Sequence, residues 1–88
     1  MITIIICTYN REKYIGQLLD SLVKNDYPES DYEIVLVDNN CTDNTRSICE
    51  RFAANHPNIS FRYVEEHEQG LSAARNRGIK EAKGDIVI

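Results

Sequence analysis

The sequence predicts an α/β fold with a Rossmann-like parallel sheet, in which strands and helices alternate along the chain. Residues 2–7 and 32–37 are short and almost continuously apolar, which is typical of strands buried on both faces. The stretch between them carries apolar residues at helical spacing, and the alternation of strand and helix then repeats to residue 88. This order indicates parallel strands joined by right-handed crossovers. With 88 residues, the chain is long enough for one domain.

The first predicted helix lies between the two buried strands. Asn10 is placed to cap its first turn, and Pro28 follows it as a stop signal. Its apolar residues recur at the intervals of a helix that packs on a core: Ile15, Leu18, Leu19, Leu22 and Val23. We therefore expect one face of this helix to be buried against the sheet.

The second helix is expected soon after the second strand, because either Thr42 or Asp43 can cap it. It ends before Pro57. Its predicted buried side chains are Ile48, Cys49, Phe52 and Ala53. Residues 59–64 then alternate between apolar and polar, which indicates a half-buried strand near an edge of the sheet.

The third predicted helix follows a polar loop at residues 65–70. Ser72 is its candidate cap, and Gly84 is expected to end it in the left-handed conformation. Small residues on one side of this helix indicate a close approach to the sheet, and that side comprises Leu71, Ala74, Gly78, Ile79 and Ala82. Residues 85–88 begin a fourth strand.

Composition and charge argue against several classes of protein. Hydrophobic residues make up 42% and charged residues 27% of the chain, which is an ordinary globular balance. The net charge is -4 without a basic patch, so nucleic acid is not expected as a partner. Three cysteines without CxxC spacing argue against a disulfide framework and a structural zinc site. No apolar run has the length of a membrane span and no signal peptide is recognised, so we expect a cytoplasmic protein.

The chemistry is expected in the loops after the strands, because ligands of open parallel sheets bind beyond the carboxyl ends of the strands. These loops span residues 8–12, 38–40 and 65–70. The first lacks the glycines of a dinucleotide-binding loop or a P-loop, which disfavours ordinary dehydrogenases and NTPases. It offers instead groups that suit a flat base, carried by Thr8, Tyr9, Asn10 and Arg11.

Three residues near these loops each have two open interpretations. Asp38 either accepts hydrogen bonds from a base or ribose, or forms a turn with Asn39 and Asn40 that caps the next helix. Arg75 either meets a phosphate or base or, as spacing alone favours, is a solvated helix residue. His67 and its glutamate neighbours imitate a metal cluster, but a solvated loop is the better interpretation because sequence neighbours seldom converge on one ion.

Four segments carry a family resemblance. They are ICTYNR at residues 6–11, VDNNCTDNT at 37–45, GLSAARNRGI at 70–79 and AKGDIVI at 82–88. In this order and spacing they resemble the family 2 glycosyltransferases of the GT-A fold. The resemblance implies an inverting enzyme that moves a sugar from a nucleotide-diphospho-sugar donor to an acceptor hydroxyl with the help of Mn or Mg. It also implies a role in the synthesis of cell-surface polysaccharides or glycans.

The resemblance assigns nucleotide-sugar binding to eight residues: Thr8, Tyr9, Asn10, Glu12, Asp38, Asn40, Gly70 and Arg75. The first two would contact the base or ribose, and the next two would shape their loop. Asp38 would bind the base, Gly70 would let its loop close over the donor, and Arg75 would help to hold the nucleotide.

The resemblance also implies that residues 1–88 are the N-terminal, nucleotide-sugar-binding part of a catalytic domain. The Asp-x-Asp motif that holds the metal and the catalytic base are expected after Ile88, so we expect this polypeptide alone not to transfer sugar. An open edge at the fourth strand is expected to favour self-association. The expected acceptor is a glycan or a lipid-linked molecule, and the full-length protein is expected in the cytoplasm or at the cytoplasmic face of a membrane.

Two alternatives fit the sequence less well, and a third cannot be separated from the main hypothesis within these residues. A nucleotidyltransferase usually needs a glycine-rich phosphate loop after the first strand, and this loop has no glycine. A response-regulator-like domain needs an acidic cluster after the first strand and a phospho-acceptor aspartate after the third, where this sequence has Thr-Tyr-Asn and Glu-Glu-His. A non-catalytic nucleotide-binding remnant differs from the main hypothesis only in the residues that come after Ile88.

Overall fold

A computed structural model describes residues 1–24, 28–84, 86 and 87, with side chains for the first two ranges. Four parallel strands form one sheet in the order β3-β2-β1-β4. Their bounds are Ile2–Thr8 for β1, Tyr32–Asp38 for β2, Ser60–Glu65 for β3 and Ile86–Val87 for β4. The predicted parallel sheet and the edge position of the third strand are confirmed. Asp85 and Ile88, which the predicted fourth strand includes, lie outside the described residues.

Helices cover both faces of the sheet. Helices α1 (Glu12–Val23) and α2 (Thr45–Asn55) share one hydrophobic core with alternate residues of the first three strands. Helix α3 (Leu71–Glu81) packs on the opposite face, where Ala74 lies against Val35 and Val37. All seven residues of the central strand β2 are buried, which explains its continuous apolar run. A short 3₁₀ turn, Glu29–Asp31, precedes that strand.

The predicted cap of α1 is wrong. Asn10 has a φ of 51°, a left-handed conformation that precedes the helix, and the helix begins at Glu12. The Glu12 N–H instead donates to Oδ2 of Asp43 at 3.1 Å, so this helix is capped from the loop after β2. The predicted apolar stripe is confirmed for Ile15 and Leu19, which are buried, but Leu18 is 44% exposed.

The predicted cap of α2 is also wrong, because the helix begins at Thr45 and its N-cap is Asn44, although Asp43 bonds the first turn. Oδ1 of Asp43 accepts hydrogen bonds from the Thr45 N–H at 3.1 Å and from the Thr45 hydroxyl at 2.6 Å. These bonds lower the pKa of Asp43, the contact with the Thr45 hydroxyl most strongly. The Asp43 carboxylate therefore accepts main-chain hydrogen bonds from the first turns of both α1 and α2. Of the four side chains predicted to be buried in α2, Cys49 and Phe52 are buried, whereas Ile48 and Ala53 are half-buried.

The predicted ends of α3 need correction. The helix begins at Leu71 directly after Gly70, so Ser72 lies inside its first turn rather than at its cap. The close approach to the sheet is confirmed, because a Cβ on Gly78 would lie 2.4 Å from Cγ2 of Ile5. Leu71 and Ile79, however, are exposed.

Gly84 does not have the predicted left-handed conformation, since Gly70 is the one described glycine with a positive φ. The helix has already ended at Glu81, and Ala82 is extended. Lack of space for a side chain explains the glycine instead, because a Cβ at this position would lie 2.5 Å from Thr3 Oγ1 and 2.7 Å from the Met1 carbonyl oxygen.

A buried polar cluster joins the segment after α3 to the amino ends of the strands. Glu33 is 1% exposed and accepts hydrogen bonds from the Thr3 hydroxyl and the Lys83 N–H, both at 2.7 Å. Arg62 pairs with Glu33 at 3.2 Å, and the Gly84 N–H donates to the Thr3 hydroxyl at 2.8 Å. Burial by itself raises the pKa of Glu33, but these hydrogen bonds and the guanidinium outweigh it and lower the pKa.

None of the helices in the described part of the chain combines the length and apolarity needed to cross a membrane.

Candidate functional site

The polar loops meet at one edge of the sheet because the strands are in register. Thr8 pairs with Asp38, and Asp38 pairs with Glu65, so the first three strands end side by side. Hydrogen bonds continue beyond the strands, from the Asn39 N–H to the Thr8 carbonyl and from the Glu66 N–H to the Asp38 carbonyl, both at 2.9 Å. The prediction that these loops share one edge is therefore confirmed.

Asp38 occupies the centre of this edge and is 8% exposed. Its Oδ1 accepts the Cys41 N–H at 2.7 Å, which is the turn that one of its two interpretations predicts. Its Oδ2 accepts a hydrogen bond from the Tyr63 hydroxyl. Carboxylate oxygens each have two acceptor sites, so these bonds leave Asp38 with capacity for a further donor. The turn and a binding role are therefore compatible, and the binding role stays a prediction.

A cleft of about 410 Å³ opens beside Asp38 between the loops after β2 and β3. Its volume lies within the usual range of about 300–1,000 Å³ for small-molecule sites. The lining is polar and comprises Asp38, Asn40, Cys41, Thr42, Asp43, Arg46, Glu65 and His67. Arg46 donates hydrogen bonds to Glu50 and Glu65, and its guanidinium carbon lies 5.3 Å from the centre of the Tyr63 ring.

Nothing in the local sequence marks Arg46 or Tyr63 as residues of this edge. Both reach it through contacts between elements, Arg46 from α2 to β3 and Tyr63 from β3 to β2. The spacing between Arg46 and Glu50 signals a helical ion pair, but not the second bond to Glu65.

The loop after β1 is bound to the loop after β2. Oδ1 of Asn10 accepts the Thr42 N–H at 2.8 Å, and Sγ of Cys41 accepts the Asn10 N–H at 3.3 Å. Tyr9 is 53% exposed. Thr8 is buried, and its hydroxyl has no hydrogen-bond partner among the described residues. A buried hydroxyl without a partner is unfavourable and rare in proteins.

The predicted site residues divide among three depressions. Asp38 and Asn40 line the main cleft. Asn10 and Glu12 line a depression of about 350 Å³ that shares Thr42 and Asp43 with that cleft. Thr8 lines a smaller one of about 170 Å³ beside α1. The structure thus brings five of the eight predicted residues to adjoining surfaces, whereas Tyr9, Gly70 and Arg75 line none of the three.

Gly70 and Arg75 belong to the start of α3. Gly70 precedes the helix with a φ of 130°, a conformation that side chains rarely adopt, and its N–H donates to Oδ1 of Asn39 at 2.9 Å. Arg75 is exposed, and its charge acts on Cys7 at the end of β1. Burial raises the pKa of the Cys7 thiol, and the Arg75 charge partly offsets that rise. Arg75 is therefore close enough to Cys7 for its charge to act there, and it does not line the main cleft.

No three His, Cys, Asp or Glu side chains of the described residues are grouped so that they could hold a metal ion. His67 lies on the rim of the main cleft with 79% of its side chain exposed, 3.6 Å from Glu65. Residues 67–69 are exposed, whereas Glu65 and Glu66 are half-buried.

Comparison with known proteins assigns the family. Residues 3–88 match the family model of Glycosyl transferase family 2. The chain belongs to this family. This result confirms the resemblance that the four sequence segments carry.

Two relatives within glycosyl transferase family 2 show how much of a longer protein the chain represents. It is 40% identical over 86 residues to the poly(ribitol-phosphate) beta-N-acetylglucosaminyltransferase TarS of Staphylococcus aureus, covering 98% of this chain and 15% of TarS. It is 35% identical to the glycosyltransferase AglE of Haloferax volcanii, covering 98% of this chain and 28% of AglE. The chain thus spans less than a third of either relative.

Solved structures confirm the fold class. A mannosyltransferase from Pyrobaculum calidifontis, solved in complex with GDP-Man and Mn2+, superimposes with a TM-score of 0.92 at 39% identity. The match covers 98% of this chain and 25% of the mannosyltransferase. TarS residues 1–349 in complex with UDP-GlcNAc match with a TM-score of 0.88 at 36% identity, over 99% of this chain and 25% of that one.

Proposed function

We propose that this chain is the nucleotide-sugar-binding part of an inverting glycosyltransferase. The enzyme would transfer a sugar from a nucleotide-diphospho-sugar to a hydroxyl of a glycan or lipid-linked acceptor, in polysaccharide or glycan synthesis. The observation that carries the proposal is the Asp38 carboxylate, which stands at the wall of the cleft where three parallel strands end. The complexes of relatives with GDP-Man and UDP-GlcNAc support a nucleotide-sugar as the donor.

The proposed nucleoside contacts come from the first two strands. Asp38 accepts a hydrogen bond from an N–H of the base or from a ribose hydroxyl, because its carboxylate keeps free acceptor sites. Thr8, which pairs with Asp38 at the end of β1, contacts the same nucleoside. Tyr9 stacks on the base, since its ring is more than half exposed and an aromatic face suits a flat heterocycle. Asn10 and Glu12 keep this loop in shape through their bonds to Thr42 and Asp43.

The proposed diphosphate contact comes from α3. Arg75 is a cation near the end of β1, and a guanidinium forms strong, charge-assisted hydrogen bonds with phosphate oxygens. Gly70 sets the start of this helix, and Asn40 holds the preceding loop through the His67 carbonyl and the Gln69 side chain. Nucleoside and diphosphate would therefore be bound from opposite sides of the strand ends.

A divalent metal is proposed for the full-length enzyme, as the Mn2+ in the mannosyltransferase complex suggests. Such a metal neutralises the diphosphate and stabilises the leaving group. The described residues do not fit it, because no three potential ligands among them are grouped. We expect residues 1–88 alone to bind nucleotide without transferring sugar.

Calorimetric titration with UDP and GDP tests the proposal. The wild-type protein should bind one of the two, and Asp38→Asn should weaken binding at least about tenfold, as expected for a lost charged acceptor. Asp20→Asn is the matched control, because Asp20 is an exposed residue of α1. Absence of binding by the wild-type protein, or equal affinities for wild type and Asp38→Asn, would contradict the proposed function. Sugar transfer by residues 1–88 alone would contradict the expectation of an inactive fragment.

A further inference from the structure

We propose that Asn39 is a positioning residue that holds the loop between β3 and α3 in its binding conformation. The inference rests on the proposed nucleotide-binding function. Asn39 is 4% exposed, and its side-chain nitrogen donates to the carbonyl oxygens of Glu66 at 2.8 Å and Glu68 at 2.9 Å. Its side-chain oxygen accepts the Gly70 N–H at 2.9 Å. One buried amide thus binds the loop at three points of its main chain.

The chemistry of these contacts requires an amide. A primary amide offers two N–H donors and an acceptor oxygen on the same short side chain. A carboxylate would place negative charge against the two carbonyls, and a hydroxyl has one hydrogen to donate. The main-chain N–H of Asn39 also donates to the Thr8 carbonyl at 2.9 Å, so the same residue connects the loop to the ends of both β1 and β2.

The bond from Gly70 determines where α3 begins. Gly70 has a φ of 130°, a conformation that is open to glycine but that residues with a side chain rarely adopt. Its carbonyl accepts the first helical hydrogen bond, from the Ala74 N–H at 3.1 Å. Arg75 comes directly after Ala74, so the position of its guanidinium depends on this helix start. Asn39 therefore acts on the proposed diphosphate contact through the loop, without touching the ligand.

Other bonds hold the first residues of the loop, from the Glu66 N–H to the Asp38 carbonyl at 2.9 Å and from Arg77 to the Glu65 carbonyl at 3.0 Å. Residues 67–69 are exposed and polar, so they gain no stability from a hydrophobic core. Asn40 adds bonds from the exposed side, to the His67 carbonyl at 3.1 Å and to Oε1 of Gln69 at 2.9 Å. Without Asn39 the loop should sample several conformations, and nucleotide binding would then have to order it at the expense of affinity.

Hydrogen–deuterium exchange and nucleotide titration test the inference together. In Asn39→Ala, amides of residues 66–73 should exchange faster, while those of strand β2 should change much less. Affinity for UDP or GDP should fall by about tenfold, as expected for the loss of a few hydrogen bonds that order a binding loop. Gln69→Ala is a milder second variant, because Gln69 is an exposed residue that bonds both Asn39 and Asn40, and it should show a smaller change of the same kind. Asn58→Ala, an exposed position in the turn before β3, should leave both measurements unchanged.

The outcomes separate this inference from the proposed function. If the wild-type protein binds neither UDP nor GDP, the proposed function fails and the inference fails with it. If it binds one of them and both Asn39→Ala and Gln69→Ala bind equally well, the inference alone is wrong. Faster exchange spread evenly over β2 and the loop would also overturn it, because that pattern indicates general loss of stability. Faster exchange confined to residues 66–73, with a matching loss of affinity, supports the positioning role.

Discussion

The hydroxyl group of Tyr63 donates a hydrogen bond to the carboxylate of Asp38, joining the neighbouring strands β3 and β2 at the wall of the cleft. Burial, together with this bond to a carboxylate, raises the pKa of Tyr63, so its hydroxyl stays protonated and remains a donor at physiological pH. The carboxylate that is proposed to meet the nucleoside is therefore oriented by a neighbour from another strand. A preorganised acceptor loses less freedom on binding.

Removal of this hydroxyl should lower both stability and affinity. We expect Tyr63→Phe to reduce the free energy of unfolding by about 0.5–1.5 kcal/mol, the usual net value of one hydrogen bond. Nucleotide affinity should fall by roughly threefold to tenfold, because the carboxylate loses its fixed orientation. Urea denaturation and calorimetric titration measure the two effects. Tyr14→Phe is the control for stability, since Tyr14 is 62% exposed, and an equal loss of stability in both variants would refute the prediction.

Two helical glycines should respond in opposite directions to the same substitution. A Cβ on Gly78 would lie 2.4 Å from Cγ2 of Ile5, in the core between α3 and the sheet. Because β-branched isoleucine has few alternative rotamers, we expect Gly78→Ala to reduce the free energy of unfolding by about 1–3 kcal/mol.

Gly16 provides the matched comparison in the interior of α1. A Cβ on this glycine would have Cγ2 of Ile48 as its nearest neighbour at 3.6 Å, which is ordinary contact. Gly16→Ala should therefore raise the free energy of unfolding by about 0.5–1 kcal/mol through helix propensity. Chemical denaturation of both variants measures the difference, and a stabilising Gly78→Ala would show that α3 lies further from the sheet than the Gly78–Ile5 contact indicates.

The buried carboxylate of Glu33 should make stability depend on acid. Its pKa is lowered in the folded state from an ordinary value of 4.5, so its stabilising contribution is present above that value and is lost as the pH falls through the folded pKa. We expect the free energy of unfolding to decrease in this acidic range as the carboxylate becomes protonated. Denaturant titrations between about pH 7 and pH 3 measure this change.

The variant Glu33→Gln separates the contribution of Glu33 to this pH dependence from the contributions of the other carboxylates. At neutral pH the variant should be less stable by about 1–3 kcal/mol, because a neutral amide is a poorer partner for Arg62 and the Lys83 N–H. Its stability should also decline less steeply in acid than that of the wild-type protein. Glu29→Gln, at an exposed position, should follow the wild-type curve. If the free energies of unfolding of Glu33→Gln and the wild-type protein fall in parallel with pH, Glu33 is not the source of the acid sensitivity.

The regular elements were predictable because their signals are local. The continuous apolar run of β2 follows from its burial on both faces, and the buried positions of Ile15 and Leu19 follow from helical periodicity. The errors fall where a contact from another element overrides a local preference. Asparagine is a good capping residue by type, but the first turn of α1 is bonded by Asp43. Asn10 itself has a left-handed conformation before the helix. Glycine is a residue type that often ends helices, but the glycine at position 84 is explained by its close approach to Thr3.

The candidate site divides in the same way. The polar loops and the position of Asp38 at a strand end follow from the order of strands and helices along the chain. The hydrogen-bond partners of Asp38 and Asn39 cannot be predicted from that order. Tyr63 lies 25 residues from Asp38 along the chain, and Gly70 lies 31 residues from Asn39.

By itself, the sequence determined the order of strands and helices, their parallel arrangement, the edge of the sheet where the polar loops gather and the resemblance to the family. These features follow from hydrophobic periodicity and from motifs read along the chain. Only the tertiary structure decided that Asp43 bonds the first turn of α1, that Tyr63 orients Asp38 and that Asn39 binds the loop before α3. The physical reason is that hydrogen bonds depend on distance and direction between groups, which strand register and helix packing set after distant segments have come together.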